Sequence, residues 1–458
     1  KNILNDNYYL KGDIIGKQGV EMSYEKYLRG IKGIEFIQKD RFNRDIGKYK
    51  DGSLDIPSIS GKDLTITIDS ELQEYGEALM KNKRGAIVAI EPNSGEILSL
   101  VSSPSYNPNL LVGRERSKNY LELYKDSIYK PLIDKSLLSM FPPGSPFKIL
   151  VGLTSLQEEI ITEKSTIYCK GYYIYGKEKR KMNCHCGGGY RNIYSAISLS
   201  CNSYFADIYR KTIDSQYNTK ERFDNWSNHI KSFGLGNYLN NDLPVGKKGV
   251  VPDSEYYNRW YPDFNWGATT TLSNSIGQGE ILTTPIQLAN MTAAVANKGY
   301  YYTPHIIKKI DGDTVDVRFK TPIKTSIDST HFKTMNKALY RVFKSGTGKL
   351  LNVPGIEICG KSGTAENFVK INGVKTQLSD HSIFIAYAPR ENPTIAISVL
   401  IENAGYGSLW AGRISSLMIE KYIKHEISLK KMEKTVLNRS LKKEYLKPYL
   451  GKPFNINE

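Results

Sequence analysis

Residues 84–103 read RGAIVAIEPNSGEILSLVSS. Two apolar runs, at 86–90 and 97–101, flank the turn-forming Pro92-Asn93-Ser94-Gly95, so the stretch predicts a β-hairpin. Further strands are expected far downstream, at 382–387 and 394–401, with Glu391-Asn392-Pro393 as the turn between them. Helical periodicity fills much of the interval, including 193–209 and 284–297, the latter with Pro285 in its first turn. Strands at both ends with helices between them indicate an α+β domain. Its antiparallel sheet, flanked by helices, is closed by segments remote in sequence.

Upstream of the hairpin, Leu64, Ile66 and Ile68 alternate with polar residues as in a half-buried strand. Ser70-Glu71-Leu72-Gln73 has the capping-box pattern for a helix carrying Leu72, Tyr75 and Leu79. Residues 1–62 are rich in Gly, Lys and Tyr and lack long periodicity; a short helix-like segment at 24–29 is closed by Gly30 and Gly33. From Lys424 to Lys452 basic residues dominate, and Leu437, Leu441 and Tyr445 recur at helical spacing. That stretch reads as a basic helical tail docked on the domain, with membrane contact as the alternative. The expected boundaries are therefore 1–62, 63–427 and 428–458.

The 458 residues suggest roughly three domains. Hydrophobic residues at 40% and charged residues at 24% are globular composition rather than disorder. The net charge of +16 suits anionic partners, but no zinc-finger spacing, RNP-like motif or GxxxxGK[ST] loop supports nucleic acid. No apolar run approaches the ~20 residues that span a bilayer. The sequence starts at Lys1, without Met or signal peptide, so a processed or truncated form with an upstream anchor is the expectation. Five cysteines are too few for a disulfide scaffold of this length.

Serine acylation needs a hydroxyl, a base and donors for the oxyanion. A Lys three residues after a Ser on a helix faces the same side. SxxK alone is weak: Ser23/Lys26, Ser127/Lys130, Ser145/Lys148, Ser428/Lys431 and Ser440/Lys443 all match. Only Ser145-Pro146-Phe147-Lys148 follows a helix-opening turn, Phe141-Pro142-Pro143-Gly144, and precedes apolar residues. There the helix dipole favours developing negative charge and burial lowers the Lys pKa. SxN occurs at Ser105/Asn107, Ser117/Asn119 and Ser200/Asn202, and K[ST]G at Lys344-Ser345-Gly346 and Lys361-Ser362-Gly363. The ordered triple Ser145/Lys148, Ser200-Cys201-Asn202 and Lys361-Ser362-Gly363-Thr364 is far more specific than any part, and the other matches read as chance, Ser345-Gly346 as a loop turn.

With these motifs the chain resembles the class B penicillin-binding proteins, and among them the elongation type. The resemblance extends to Gly16–Gly33, 85–98, Ser275-Ile276-Gly277-Gln278-Gly279-Glu280 and Asp380-His381-Ser382-Ile383-Phe384. It implies a penicillin-binding/serine β-lactamase-like transpeptidase fold with a small, truncated N-terminal pedestal. Ser145 is then the nucleophile on the penultimate D-Ala of a peptidoglycan stem peptide, and Lys148 accepts its proton. Ser200 relays a proton to the leaving D-Ala, Asn202 orients Lys148 and substrate, and Lys361 keeps the field positive. Ser362, Gly363 and Thr364 bind the terminal carboxylate, and the Ser145 and Thr364 N–H groups form the oxyanion hole. No cofactor is needed. β-Lactams, a polytopic glycosyltransferase and elongation scaffold proteins are the implied partners, at the periplasmic face of the cytoplasmic membrane. A division-type transpeptidase and a β-lactam sensor or scaffold without turnover are the alternatives.

Cys169, Cys184, Cys186 and Cys201 form C-x14-C-x-C-x14-C with His185 between the middle pair. Four thiolates suit tetrahedral Zn²⁺ as a structural ion, and disulfides are the alternative. In elongation-type relatives the resemblance implies a zinc site that includes the Cys of SxN. Its usual His falls at Gly188 here, leaving Cys186 or His185 to replace it. Cys359 reads as a buried small residue. A triad through His381 and Asp380 is redundant beside Lys148.

Overall fold

The computed structural model describes residues 8–10, 12–263, 265–371 and 373–447. Five strands build the central sheet: β1 (Gly85–Ile90), β2 (Ile97–Ser103), β3 (Cys359–Ile371), β4 (Val374–Ala388) and β5 (Ile395–Ile401). Their order is β3-β4-β5-β1-β2, antiparallel throughout. The pairing of β5 with β1, in register from Ala396↔Ile90 to Ile401↔Gly85, closes the sheet across some three hundred residues of chain. Every residue of β1 and β5 is buried, so both faces of these strands are covered. Helix Pro285–Ala296, buried along its whole length, packs on β5 and β1; helices Ser70–Met80 and Ala411–Lys424 pack on the sheet and on each other. Near-continuous Ile, Val, Leu and Ala in these strands reflects that double burial.

Several local expectations change. Helix Ser70–Met80 is capped one residue earlier than the capping-box pattern suggests, by Asp69, whose carboxylate accepts from Leu72 N at 3.0 Å. Gln73 reaches instead to the sheet, where its amide pairs with Leu100 N at 2.8 Å and Leu100 O at 3.1 Å. A tertiary acceptor and donor thus outcompete the local box. The expected helix over 193–209 is two helices, Ile193–Ser198 and Asn202–Ile213, interrupted by Ser200 at φ +56°. The tail forms helices Lys430–Asn438 and Lys442–Leu446 with a break between them, so Val436, Leu441 and Tyr445 are buried while Leu437 is exposed. Residues 448–458 of the basic tail lie outside the described residues.

The chain divides into two compact units. The first ends at Thr67 and takes in Asn241–Val245 and His305–Val317, two segments that no single cut near residue 62 would assign to it. Within it, Leu64–Ile66 pairs antiparallel with Ile307–Ile310. Asp242 accepts from Tyr24 Oη at 2.8 Å and from the backbone N–H groups of Ile306 and Ile307. The second unit holds the sheet, its helices and the docked helices of residues 430–446. Among the described residues no helix is long and apolar enough to cross a membrane.

Candidate active site

Gly144 adopts φ +61°, ψ −149°, a conformation only glycine tolerates well, and turns the chain into the short 3₁₀ turn Ser145–Phe147. A Cβ there would lie 2.9 Å from Thr364 O. The Lys361 strand is equally close: a Cβ on Gly363 would lie 2.5 Å from the Pro146 ring. The glycines of two separate motifs thus allow the Ser145 turn to lie directly against β3. Helix Lys148–Gln157 follows the turn and buries Lys148 completely.

The break between Ile193–Ser198 and Asn202–Ile213 aims Ser200 at this turn. Ser200 Oγ donates to Ser145 Oγ at 3.0 Å. It also receives Lys148 Nζ at 3.2 Å and Lys361 Nζ at 2.9 Å. One donor and two lone pairs are all a hydroxyl has, so Ser200 is saturated by the three motif residues. Lys148 further donates to Ser200 O at 2.8 Å and Asn202 Oδ1 at 2.5 Å. Ser145 Oγ thus meets Ser200 Oγ, and Ser200 Oγ in turn meets Lys148 Nζ.

Burial pushes the Lys148 ammonium down to about 8. Burial, reinforced by the charge of Lys148, holds Lys361 well below the usual lysine range. Two buried cations around one hydroxyl favour loss of a proton from the lysine pair, which is what a lysine base at neutral pH requires. His381 lies outside this network: its ring accepts from Asn403 N, stacks edge-on with Phe141 and is driven down to about 4 by burial.

Two contributors have no place in the three motifs. Gln278 Nε2 donates to Thr364 O at 3.2 Å, and Gly277 O accepts from Gly144 N at 2.8 Å. The Ser275–Glu280 block thus braces both the Ser145 turn and β3. Thr347, just after the dismissed Lys344-Ser345-Gly346 match, shares a hydrogen bond of 2.9 Å with Ser362.

The four clustered cysteines meet. Cys169 ends strand Ile167–Cys169, Cys184 and Cys186 follow strand Arg180–Asn183, and Cys201 is the N-cap of helix Asn202–Ile213. All four sulfurs are buried and lie within 4.8 Å of one another. Cys184 and Cys201 are 3.6 Å apart, as are Cys186 and Cys169, and all are free thiols. Asn202 N donates to Cys184 Sγ at 3.1 Å, and Asn202 Nδ2 to Asn183 O at 2.8 Å. Hydrogen bonding from Cys201 pulls the Cys184 thiol well below the ordinary thiol range. His185 is exposed and outside the cluster, so Cys186 supplies the fourth position. Cys359 is buried apart from it.

Residues 85–420 match the model of the penicillin binding protein transpeptidase domain, and residues 2–66 that of the penicillin-binding protein dimerisation domain. The chain is 34% identical over 419 residues to peptidoglycan D,D-transpeptidase MrdA of Acinetobacter baumannii, covering 88% of this chain and 60% of that protein. It thus spans about three fifths of the length of such curated relatives. Penicillin-binding protein 2 of Pseudomonas aeruginosa is similar in structure, with TM-score 0.74 and 33% identity over 89% of this chain and 84% of that one. So is penicillin-binding protein 2 of Helicobacter pylori, in a complex with MreC, with TM-score 0.74 and 27% identity over 92% of this chain and 74% of that one.

Proposed function

The chain belongs to the penicillin-binding protein transpeptidase family, and from that premise we propose that it is a peptidoglycan D,D-transpeptidase of cell-wall elongation and a target of β-lactams. The observation that carries this reading is the Ser200 hydroxyl bonded at once to Ser145, Lys148 and Lys361. Once Lys148 is neutral it accepts from Ser200 instead of donating to it, which frees Ser200 to accept from Ser145. Ser145 Oγ then attacks the carbonyl of the penultimate D-Ala, and its proton passes through Ser200 to Lys148. The amide bond breaks, the leaving D-Ala amine takes a proton back along the same path, and an ester to Ser145 remains. An amine of a neighbouring stem peptide then attacks that ester, which forms the cross-link and restores the serine.

The N–H groups of Ser145 and Thr364 suit the oxyanion, because Gly144 and Gly363 bring their segments into contact. Ser362 and Thr364 hold the terminal carboxylate, and Lys361 supplies the local positive field. β-Lactams enter the same path and stop at the acyl stage. A fluorescent penicillin should label the protein covalently, and Ser145→Ala should abolish the label; retained labelling would falsify the assignment. Cross-linking of stem peptides by the unlabelled protein, and its loss once penicillin has labelled Ser145, separates a transpeptidase from a sensor that only binds.

The elongation assignment is supported by the MrdA relative and by the Asp380–Phe384 block. The site would then work at the periplasmic face of the cytoplasmic membrane. A scaffold protein such as the MreC found with the Helicobacter pylori relative is a fitting partner, alongside a polytopic glycosyltransferase that makes the glycan strands.

The cysteine cluster fits Zn²⁺. Tetrahedral zinc with Zn–S bonds of about 2.3 Å spaces its sulfurs by about 3.8 Å. The pairs at 3.6 Å, all four within 4.8 Å, need little adjustment. Four thiolates leave no open position, so the ion would be structural. Cys169, Cys184, Cys186 and Cys201 would hold it, and through Cys201 it would fix the turn that carries Ser200 and Asn202. Metal analysis should find one zinc per chain, and chelation should lower the melting temperature. Absence of zinc together with oxidised cysteines by mass spectrometry rules the site out.

A further inference from the structure

The segment Cys186-Gly187-Gly188-Gly189-Tyr190-Arg191 folds back on its own last side chain. Its three glycines have φ of +80°, +69° and +90°, a run that residues with a Cβ rarely adopt. The turn directs its carbonyls onto one guanidinium: Arg191 donates to Cys186 O at 2.9 Å, to Tyr190 O at 3.0 Å and to Gly188 O. Strand Gly189–Arg191 pairs with Ile167–Cys169 and sets Gly189 opposite Cys169. Turn and strand together bring Cys186 Sγ to 3.6 Å from Cys169 Sγ.

Each of the other three sulfurs has a backbone N–H beside it: Gly171 N at 3.3 Å from Cys169, Asn202 N at 3.1 Å from Cys184, and Tyr204 N at Cys201. At Cys186 the Arg191 side chain takes that place and favours the thiolate. Arg191 Nε is buried and hydrogen-bonded to nothing among the described residues, so the guanidinium keeps one donor in reserve. Four thiolates around Zn²⁺ leave two negative charges in excess, which a buried site must balance. The charge of Cys184, Cys201 and Cys186 acts on Lys148, but a proton acceptor has to give up its own charge. Arginine stays charged throughout.

We infer that Arg191 is the positioning residue of the cysteine site: its three carbonyl bonds fix Cys186 as the fourth ligand, and its permanent charge balances the four thiolates. The inference rests on the zinc reading above and deepens it. Cys169, Cys184 and Cys201 stand on strands and a helix cap, whereas Cys186 faces them because Arg191 closes the glycine turn.

The test follows the metal rather than activity. The protein is loaded with Zn²⁺ and titrated with a chromogenic chelator. Arg191→Gln should bind the ion about 10–100-fold more weakly, the usual worth of a group that holds a ligand from behind. Arg191→Lys, which keeps the charge and loses the fork, should fall between. Melting temperatures with and without zinc should show the variant losing most of the rise that zinc gives, while the metal-free forms melt close together. Zinc held by Arg191→Gln as tightly as by the wild type overturns the inference alone. So does a melting temperature lowered equally with and without zinc, which marks Arg191 as a brace of the turn only. Should Arg191→Gln not fold, Arg191→Lys decides by the same titration, and wild-type affinity there overturns the inference. A wild-type protein that binds no zinc overturns the zinc reading and this inference together.

Discussion

Two buried lysines, Lys148 and Lys83, sit in different parts of the catalytic unit and share one physical state. Burial drives each ammonium down to about 8. Their partners differ. Lys148 points at side chains of the candidate site, Ser200 and Asn202. Lys83 donates to two backbone carbonyls, Lys81 O at 3.0 Å and Val436 O at 2.8 Å. Val436 lies in the last turn of helix Lys430–Asn438, whose carbonyls lack intrahelical partners and whose dipole favours a cation there. Next to it, Arg84 N donates to Tyr445 Oη at 2.7 Å. Lys83 and Arg84 thus fasten the C-terminal helices, while Lys148 serves the site. A depressed lysine pKa marks desolvation; only the set of partners separates a base from a clamp.

Replacing each lysine by methionine, which keeps most of the apolar stem, breaks the pair apart. Lys148→Met should slow penicillin acylation by about 10²–10⁴-fold, the usual worth of a positioned general base, while the melting temperature holds or rises. A labelling rate close to wild type would remove Lys148 from the proton path.

Lys83→Met should do the opposite. Leaving the Val436 carbonyl without its donor should cost about 1–3 kcal/mol of stability, read by chemical denaturation, with labelling of the folded protein unchanged. An acylation defect larger than the stability loss would mean that the clamp communicates with the site.

The smallest effect is on pH dependence, and it sharpens the contrast. Acylation should rise as pH passes through about 8, because Lys148 must be neutral to accept a proton. For Lys83 the folded value of about 8 lies below the ordinary 10.5, so between these values the unfolded chain binds the extra proton. Stability then grows with pH across that window. The stability difference between wild type and Lys83→Met should therefore widen from about pH 8 towards pH 10. A flat difference would show that Lys83 stays charged through its carbonyl contacts.

Local pattern made much of this molecule readable. The hairpin of β1 and β2 and the β4–β5 turn follow from apolar runs bounded by Pro, Asn and Gly, and they were expected where they stand. Helix Pro285–Ala296 follows from its periodicity and from Pro285 in the first turn, and the structure adds a reciprocal cap between Thr284 and Gln287. Readings failed where a remote partner outbid a neighbour. Gln73 left its cap for Leu100, and the helix over 193–209 broke at Ser200, where the side chain is held by residues far along the chain. Thr347 was hidden because its motif match was a decoy, and its significance lies in the strand beside it rather than in its own spacing.

By itself the sequence determined the chemistry available: a Ser and a Lys one helical turn apart after a Gly turn, a Lys-Ser-Gly strand, and four thiols at regular spacing. These depend on covalent neighbours and on the fixed geometry of turns and helices. Only the tertiary structure decided which of the repeated motifs meet. Ser145 and Ser200 are 55 residues apart, and Lys361 and Ser200 are 161 apart. No local preference encodes such separations. They close because β5 pairs with β1 and because glycines at 144, 346 and 363 allow backbones to approach where any side chain would collide.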